Sequence, residues 1–146
     1  MILPHSCGGP GRWILDFEFW ILDFGFLMKE ENLILEKSYA FALEVMRLAK
    51  LIREKREYDL ASQLWRAGTS IGANVEEAQA AQSRPDFRSK MAIAAKEARE
   101  THYWLRLTRD GKILEADVAN PLIDEIESIK RILTSIVKST VQRGNV

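Results

Sequence analysis

From Ile34 onward, apolar residues recur at alternating spacings of four and three, and this pattern constrains the fold more than any other feature of the chain. Four stretches keep the spacing on one face. They are Ile34, Ser38, Phe41, Val45, Leu48 and Ile52; Leu60, Leu64, Ala67, Ile71, Asn74 and Ala78; Phe87, Met91, Ala94, Ala98, Thr101 and Leu105; and Leu122, Ile126, Ile129, Leu133 and Ile136. Such seams are typical of amphipathic helices packed side by side, and no strand-like alternation is sustained in this region. The sequence therefore predicts an all-α protein with four helices.

Capping signals agree with this division. Ser83 is a suitable N-cap residue, followed by an early proline and by an acid at the third helical position, which predicts the start of the third helix. Gly111 predicts its end. The fourth helix begins either at Asn120–Pro121 or one turn earlier at Asp117. Because the connections are short, at about residues 55–58, 82–84 and 111–116, we predict an antiparallel up-down-up-down four-helix bundle with helices of about 20–25 residues.

The first 28 residues differ from the rest. They contain WILDFEF followed by WILDFGF, a tandem heptamer over residues 13–26, and carry one basic against three acidic residues. Because carboxylates interrupt the apolar run, we expect neither a transmembrane helix nor a signal peptide. Three interpretations stay open: a partner-docking arm, an extra pair of strands, or translated sequence upstream of a true start at Met28. We predict an extension over residues 1–28 and a bundle domain over 29–146.

The charge and the metal-ligating residue types limit the function classes. The chain has 21 basic and 21 acidic residues, so its formal net charge is zero, which argues against a protein that coats polyanions with its whole surface. One cysteine and two histidines exclude a disulfide framework and a zinc site of several thiolates. We expect no cofactor, no metal and no membrane partner, and a cytoplasmic location.

Two groups of basic residues are candidates for nucleic-acid binding. The predicted third helix carries five arginines within roughly 80° of one face, at about 100° per residue. They are Arg84, Arg88, Arg99, Arg106 and Arg109. The end of the first helix carries Lys50, Arg53 and Arg56, with Lys55 beside them. Guanidinium groups bind phosphate bidentately, but they equally suit ion pairs with acids on a neighbouring subunit, so both interpretations stay open.

A polar stripe runs along the predicted second helix. Its members are Arg66, Ser70, Asn74 and Glu77, and the third helix offers Glu97 and Glu100 as partners for the arginine. Polar groups at such positions must be paired and can fix the register of packing. The alternative is a functional polar site that lines a central channel or groove.

Other residues of the same helices favour close packing and self-assembly. Gly68 and Gly72 allow another backbone to approach, which should offset the roughly 0.8–1 kcal/mol that each glycine costs in a helix. Further apolar side chains lie off the seams, more than a single interior needs. They are Trp65, Ile93, Trp104 and Leu107. This surplus predicts a homo-oligomer.

The sequence also carries an extended motif. It reads RAGTSIGANVEEA from Arg66 to Ala78, followed by Asp86–Phe87 and by AKEARETHYWL from Ala95 to Leu105. In these residues the chain resembles the four-helix bundle proteins of the 23S ribosomal RNA intervening-sequence family, over about residues 33–140. The resemblance implies a ring-shaped homopentamer without established enzymatic activity. A relative of the family, the accessory protein of diversity-generating retroelements, binds nucleic acid and a reverse transcriptase, which implies both as partners here.

The function that these observations favour is a non-catalytic, oligomeric bundle that binds RNA or DNA through the arginine face. One alternative is a purely structural, protein-interaction module. The other is a magnesium-dependent all-α nucleotide pyrophosphohydrolase, in which Glu97, Glu100, Asp124 and Glu127 would hold the metal.

Overall fold

The computed structural model describes the backbone of residues 10–142, together with the side chains of Leu22 and of residues 25–142. Over that range the chain forms four α-helices and no strand, which confirms the predicted all-α class. The helices are α1 (Pro10–Glu54), α2 (Tyr58–Gln79), α3 (Arg84–Asp110) and α4 (Ala116–Gln142).

The four helices share one core. Helix α1 packs on α2 and α4, and α3 packs on the same two helices, whereas the backbones of α1 and α3 do not approach one another closely within the described residues. Every helix supplies large, fully buried side chains, among them Phe41, Ile71, Leu105 and Ile126. Nearly all the predicted seam positions are buried, because the 3.6-residue period of a helix brings them to one face. The exceptions are half-buried: Leu60, Asn74, Phe87 and Leu122.

The predicted start of α3 is confirmed. The Ser83 hydroxyl accepts a hydrogen bond from the backbone N–H of Asp86 at 3.2 Å, and the Asp86 carboxylate accepts one from the N–H of Gln82 at 3.3 Å. The first bond satisfies a backbone donor that the first turn of a helix leaves without a partner, and the second fixes the residue that precedes the cap. At the other end, α3 stops at Gly111 as predicted, but Lys112 is the residue with a left-handed backbone, at φ 57°.

Two helix boundaries differ from the sequence expectation. Helix α4 begins at Ala116, so the Asn120–Pro121 pair lies inside it, and the earlier of the two proposed starts is the better one. Helix α1 has 45 residues rather than 20–25, which corresponds to about 67 Å at ~1.5 Å per residue. The prediction was wrong because only the region after Ile34 was assigned to the helix, although the seven-residue repeat before it is compatible with helix.

The repeat region is helical from Pro10 onward, which rules out the strand-pair interpretation for the described residues. Helix α1 crosses the proposed boundary between residues 28 and 29 without interruption, and Leu27 already packs in the core. Leu22 and Phe26 are exposed. The division into an extension and a domain stays a prediction. As far as the structure describes them, none of the helices combines the length and apolarity needed to cross a membrane.

Candidate nucleic-acid interface

The exposed arginines of α3 differ in whether an acid neutralises them. Arg88, Arg99 and Arg106 form no ion pair within the described part of the chain. Arg84, at the first position of α3, is also exposed and unpaired there. By contrast, Arg109 is half-buried, and its Nε lies 2.8 Å from the Asp110 carboxylate. The four unpaired arginines of α3 are therefore available to an external anion, and Arg109 is not.

Arg109 connects α3 to α4. Its Nη1 donates a hydrogen bond to the side-chain oxygen of Asn120 at 3.3 Å. The neighbouring Asp110 carboxylate has a lowered pKa, mainly because it accepts the Arg109 hydrogen bond, with a further contribution from the positive charge of Arg106. Arg109 thus has a structural role at the helix interface.

A cluster of His102, Glu127 and Lys130 lies at the same α3–α4 interface. The Nε2 of His102 lies 3.1 Å from the Glu127 carboxylate, while Lys130 Nζ lies 3.1 Å from His102 Nδ1. Because an ammonium can only donate, His102 accepts at Nδ1 and donates from Nε2, which is a neutral tautomer. Burial lowers the pKa of His102 most, and the positive charges of Lys130, Arg106 and Arg109 lower it further, while the Glu127 carboxylate raises it without reversing the shift.

This histidine should make stability depend on pH. Because the folded-state pKa of His102 lies below its ordinary value, its contribution to stability is complete above about pH 6.5, the unfolded pKa, and is lost as the pH falls toward the folded pKa. We expect His102→Gln to flatten the decline of the free energy of unfolding just below pH 6.5. Urea unfolding of both proteins across this pH range measures it. Identical slopes would show that His102 does not titrate differently on folding.

The second predicted basic cluster lies elsewhere on the bundle. Lys50 and Arg53 line a groove between α1 and α2, while Arg106 and Arg109 contribute to the α3–α4 side. Arg56 lies in the turn after α1, with a left-handed backbone at φ 66°. Because the backbones of α1 and α3 stay apart in the part of the chain that the structure describes, the structure does not join the two clusters into one surface. Whether either binds nucleic acid stays a prediction.

The predicted pairing of Arg66 with α3 is confirmed. Its guanidinium contacts Glu97 at 3.3 Å and also forms an ion pair with Glu100. The indole N–H of Trp104 donates to Glu100 at 3.2 Å. This hydrogen bond, followed by that of Arg66, lowers the pKa of Glu100. Because the side chain of Arg66 is 50% exposed, the cluster lies at the outer edge of the α2–α3 interface and not in a central channel.

The rest of the polar stripe is satisfied locally. The Ser70 hydroxyl donates to the backbone carbonyl of Arg66 at 2.6 Å, and the Asn74 amide donates to that of Ser70 at 2.8 Å. Glu77 forms an ion pair with Lys90 of α3 at 2.6 Å. The stripe therefore joins α2 to α3 at its two ends only, and its middle bonds to its own helix.

Three of the four carboxylates of the magnesium alternative bind to different partners. Glu97 and Glu100 bind Arg66 on the α2 side of α3, whereas Glu127 binds His102 and Lys130 on the α4 side. Among the residues described, no group of three or more histidine, cysteine, aspartate or glutamate side chains is arranged to hold a metal ion. The structure thus does not assemble the four-carboxylate site of that hypothesis in a single chain.

Sequence reasoning missed the contribution of α4 to this region. Lys130 contacts His102. The pKa of Glu127 is lowered mainly by the hydrogen bond from Lys130, and the charge of Arg131 adds to this effect. The spacing of these cations on α4 resembles an ordinary solvated face. Only the register between α3 and α4 brings them beside the arginines.

Comparisons with known proteins agree with the motif described above. The family model of the 23S rRNA-intervening sequence protein matches residues 30–135. A crystal structure of a protein with unknown function from the S23 ribosomal protein family of Bacteroides thetaiotaomicron is similar, with 40% sequence identity and a TM-score of 0.72. The match covers 75% of this chain and 98% of that one. Among curated proteins, nothing matches.

Proposed function

The chain belongs to the family of 23S rRNA-intervening sequence proteins, and on that premise we propose that it is a non-catalytic, homo-oligomeric bundle that binds RNA or DNA. The observation that carries the proposal is the unpaired state of Arg88, Arg99 and Arg106 on one face of α3. Unpaired guanidinium groups bind phosphate without first breaking an ion pair. A reverse transcriptase is a further partner that the resemblance supports.

Salt dependence tests this proposal directly. If phosphate contacts dominate, the affinity of the protein for labelled ribosomal RNA fragments falls steeply as salt is raised, by about one unit of logarithmic slope per contact. Filter binding across a salt series measures the slope. Binding that is undetectable at low salt, or that persists unchanged at high salt, would contradict the proposal.

An antiparallel arrangement is part of the proposal. Gly68 lies against Val45 and Gly72 against Ser38, so residue numbers rise along α2 where they fall along α1. The polar pairs that join the other neighbouring helices run in the same opposed sense. These contacts support the up-down-up-down order that short connections favour.

Exposed apolar side chains support self-assembly. Helix α1 exposes Tyr39 and Leu43, and α3 exposes Ile93, Tyr103 and Leu107, each to between 40% and 66%. These helices do not meet in the described chain, so the two apolar faces belong to different sides of the bundle. Contact between two unlike faces is heterologous, and heterologous contacts form a ring when the rotation closes. Five subunits is the number that the family resemblance implies.

The mass in solution tests the assembly. We expect light scattering on the full chain to give about five times the mass of one chain, and the double variant Tyr103→Ser, Leu107→Ser to give smaller species, since both side chains are exposed. A monomeric full chain would contradict the proposed ring. An oligomer that fails to bind nucleic acid in the salt series would instead favour the protein-interaction module, which the same apolar faces support.

A further inference from the structure

A groove lies between α1 and α2 near the turn that joins them. Its volume is about 540 Å³, within the range of small-molecule sites. Ala49, Lys50 and Arg53 line it from α1, and Ala61, Ser62 and Trp65 line it from α2. No acidic residue belongs to this lining.

The lining combines an aromatic side chain with two free cations. Trp65 is 38% exposed, while Ala49 and Ala61 are buried and form an apolar floor. Lys50 and Arg53 are exposed, and neither forms an ion pair with a described carboxylate. The Arg53 guanidinium instead lies over the Tyr58 ring, 5.4 Å from its centroid. A cation–π contact leaves the charge available to an anion, unlike a salt bridge.

We propose that this groove binds one unpaired nucleotide of a single-stranded nucleic acid. The base stacks on Trp65, and Lys50 and Arg53 contact the adjoining phosphates. Stacking on an aromatic side chain combined with cations along the backbone is how proteins bind single strands without a sequence preference. A duplex does not fit this site, because paired bases hide their faces within the stack.

The inference rests on the proposed function and adds to it. The arginine face of α3 is a row of exposed cations, so it accounts for phosphate contact in any strand. The α1–α2 groove requires an unpaired base. Because none of the residues that line the groove belongs to α3, the two surfaces can be altered separately.

Substitution of Trp65 tests the stacking. Trp65→Leu keeps an apolar side chain against the groove but removes the aromatic face, and Trp65→Phe restores one. We expect the leucine variant to bind labelled single-stranded oligonucleotides about tenfold more weakly and the phenylalanine variant to stay close to the unmodified protein. Inorganic polyphosphate, which has no base, should bind both variants equally. Circular dichroism confirms that each is folded.

Arg47, on the same helix, provides a matched control for Arg53. Arg53→Gln and Arg47→Gln remove the same charge, but Arg47 lies outside the groove and pairs with Glu44. We expect only the Arg53 variant to weaken single-strand binding. Binding is measured with single-stranded RNA and with single-stranded DNA of the same sequence. Weaker binding of either one by the Arg53 variant supports the proposed nucleotide site and identifies which nucleic acid occupies it.

The outcomes separate this inference from the proposed function. If Trp65→Leu binds single strands normally while the loss of the α3 arginines abolishes binding, the groove is not a nucleotide site and the proposed function stands. If the unmodified protein binds neither oligonucleotides nor duplex RNA at low salt, both fail. If duplex RNA loses affinity as much as single strands do, Trp65 does not act by stacking, and the inference is overturned.

Discussion

Replacing Arg88, Arg99 and Arg106 together by glutamine is expected to weaken RNA binding on the order of a hundredfold at low salt. Three lost contacts of roughly 1 kcal/mol each amount to about that factor. The logarithmic salt slope should become about three units less steep. Because none of the three side chains forms an ion pair in the described chain, the free energy of unfolding should change little.

A second triple variant separates the arginine face from net charge. Lys37, Arg47 and Lys90 are cations that pair with Glu125, Glu44 and Glu77. Replacing these three by glutamine removes the same total charge from other parts of the bundle. Filter binding should show the large loss only for the α3 variant. Equal losses in both variants would mean that overall charge, and not the unpaired face, determines the affinity.

Gly68→Ala is expected to lower the free energy of unfolding by up to about 2 kcal/mol, although alanine is the better helix former. A Cβ at this position would lie 2.6 and 2.8 Å from the two γ-carbons of Val45. Val45 is fully buried, and a β-branched side chain has little freedom to rotate away. Overpacking of about 1–3 kcal/mol therefore exceeds the gain in helix propensity of about 1 kcal/mol. Urea or thermal unfolding measures the difference.

Gly72→Ala is the matched control. Its nearest neighbour would be the Ser38 carbonyl oxygen at 3.4 Å, an ordinary contact, so the propensity gain should leave this variant as stable as the parent or more so. Adding Val45→Ala to Gly68→Ala should recover part of the lost stability, which a double-mutant cycle detects as coupling. If Gly68→Ala and Gly72→Ala stabilise equally, close packing does not explain the glycine.

Gly68 and Gly72 show which part of the helix packing could be predicted from the sequence. Their presence in a helix predicted that a backbone approaches α2, but left open whether it belongs to the same chain or to another subunit. The structure places Val45 and Ser38 of the same chain against them. The glycines are therefore explained by the α1–α2 interface, and self-assembly depends on the exposed apolar side chains instead.

The capping residues show a similar division. Ser83 and Asp86 predicted the start of α3 because a cap depends on residues within one turn. The end was predicted at Gly111, yet the left-handed conformation falls on Lys112. Which residue of a turn carries that conformation depends on how the next helix must be placed, and this is not a local property.

By itself, the sequence determined the class of fold and the four seams, and it offered Glu97 and Glu100 as candidate partners for Arg66, a contact that the packing of α2 on α3 then formed. Periodicity and capping are local, since they involve residues a few positions apart on one helix. Only the tertiary structure decided which cations are free. The register between α3 and α4 sets Arg109 beside Asn120 and Lys130 beside His102, while Arg88, Arg99 and Arg106 form no ion pair in the described chain. An ion pair requires two side chains within about 4 Å, and for residues on different helices that distance is set by packing.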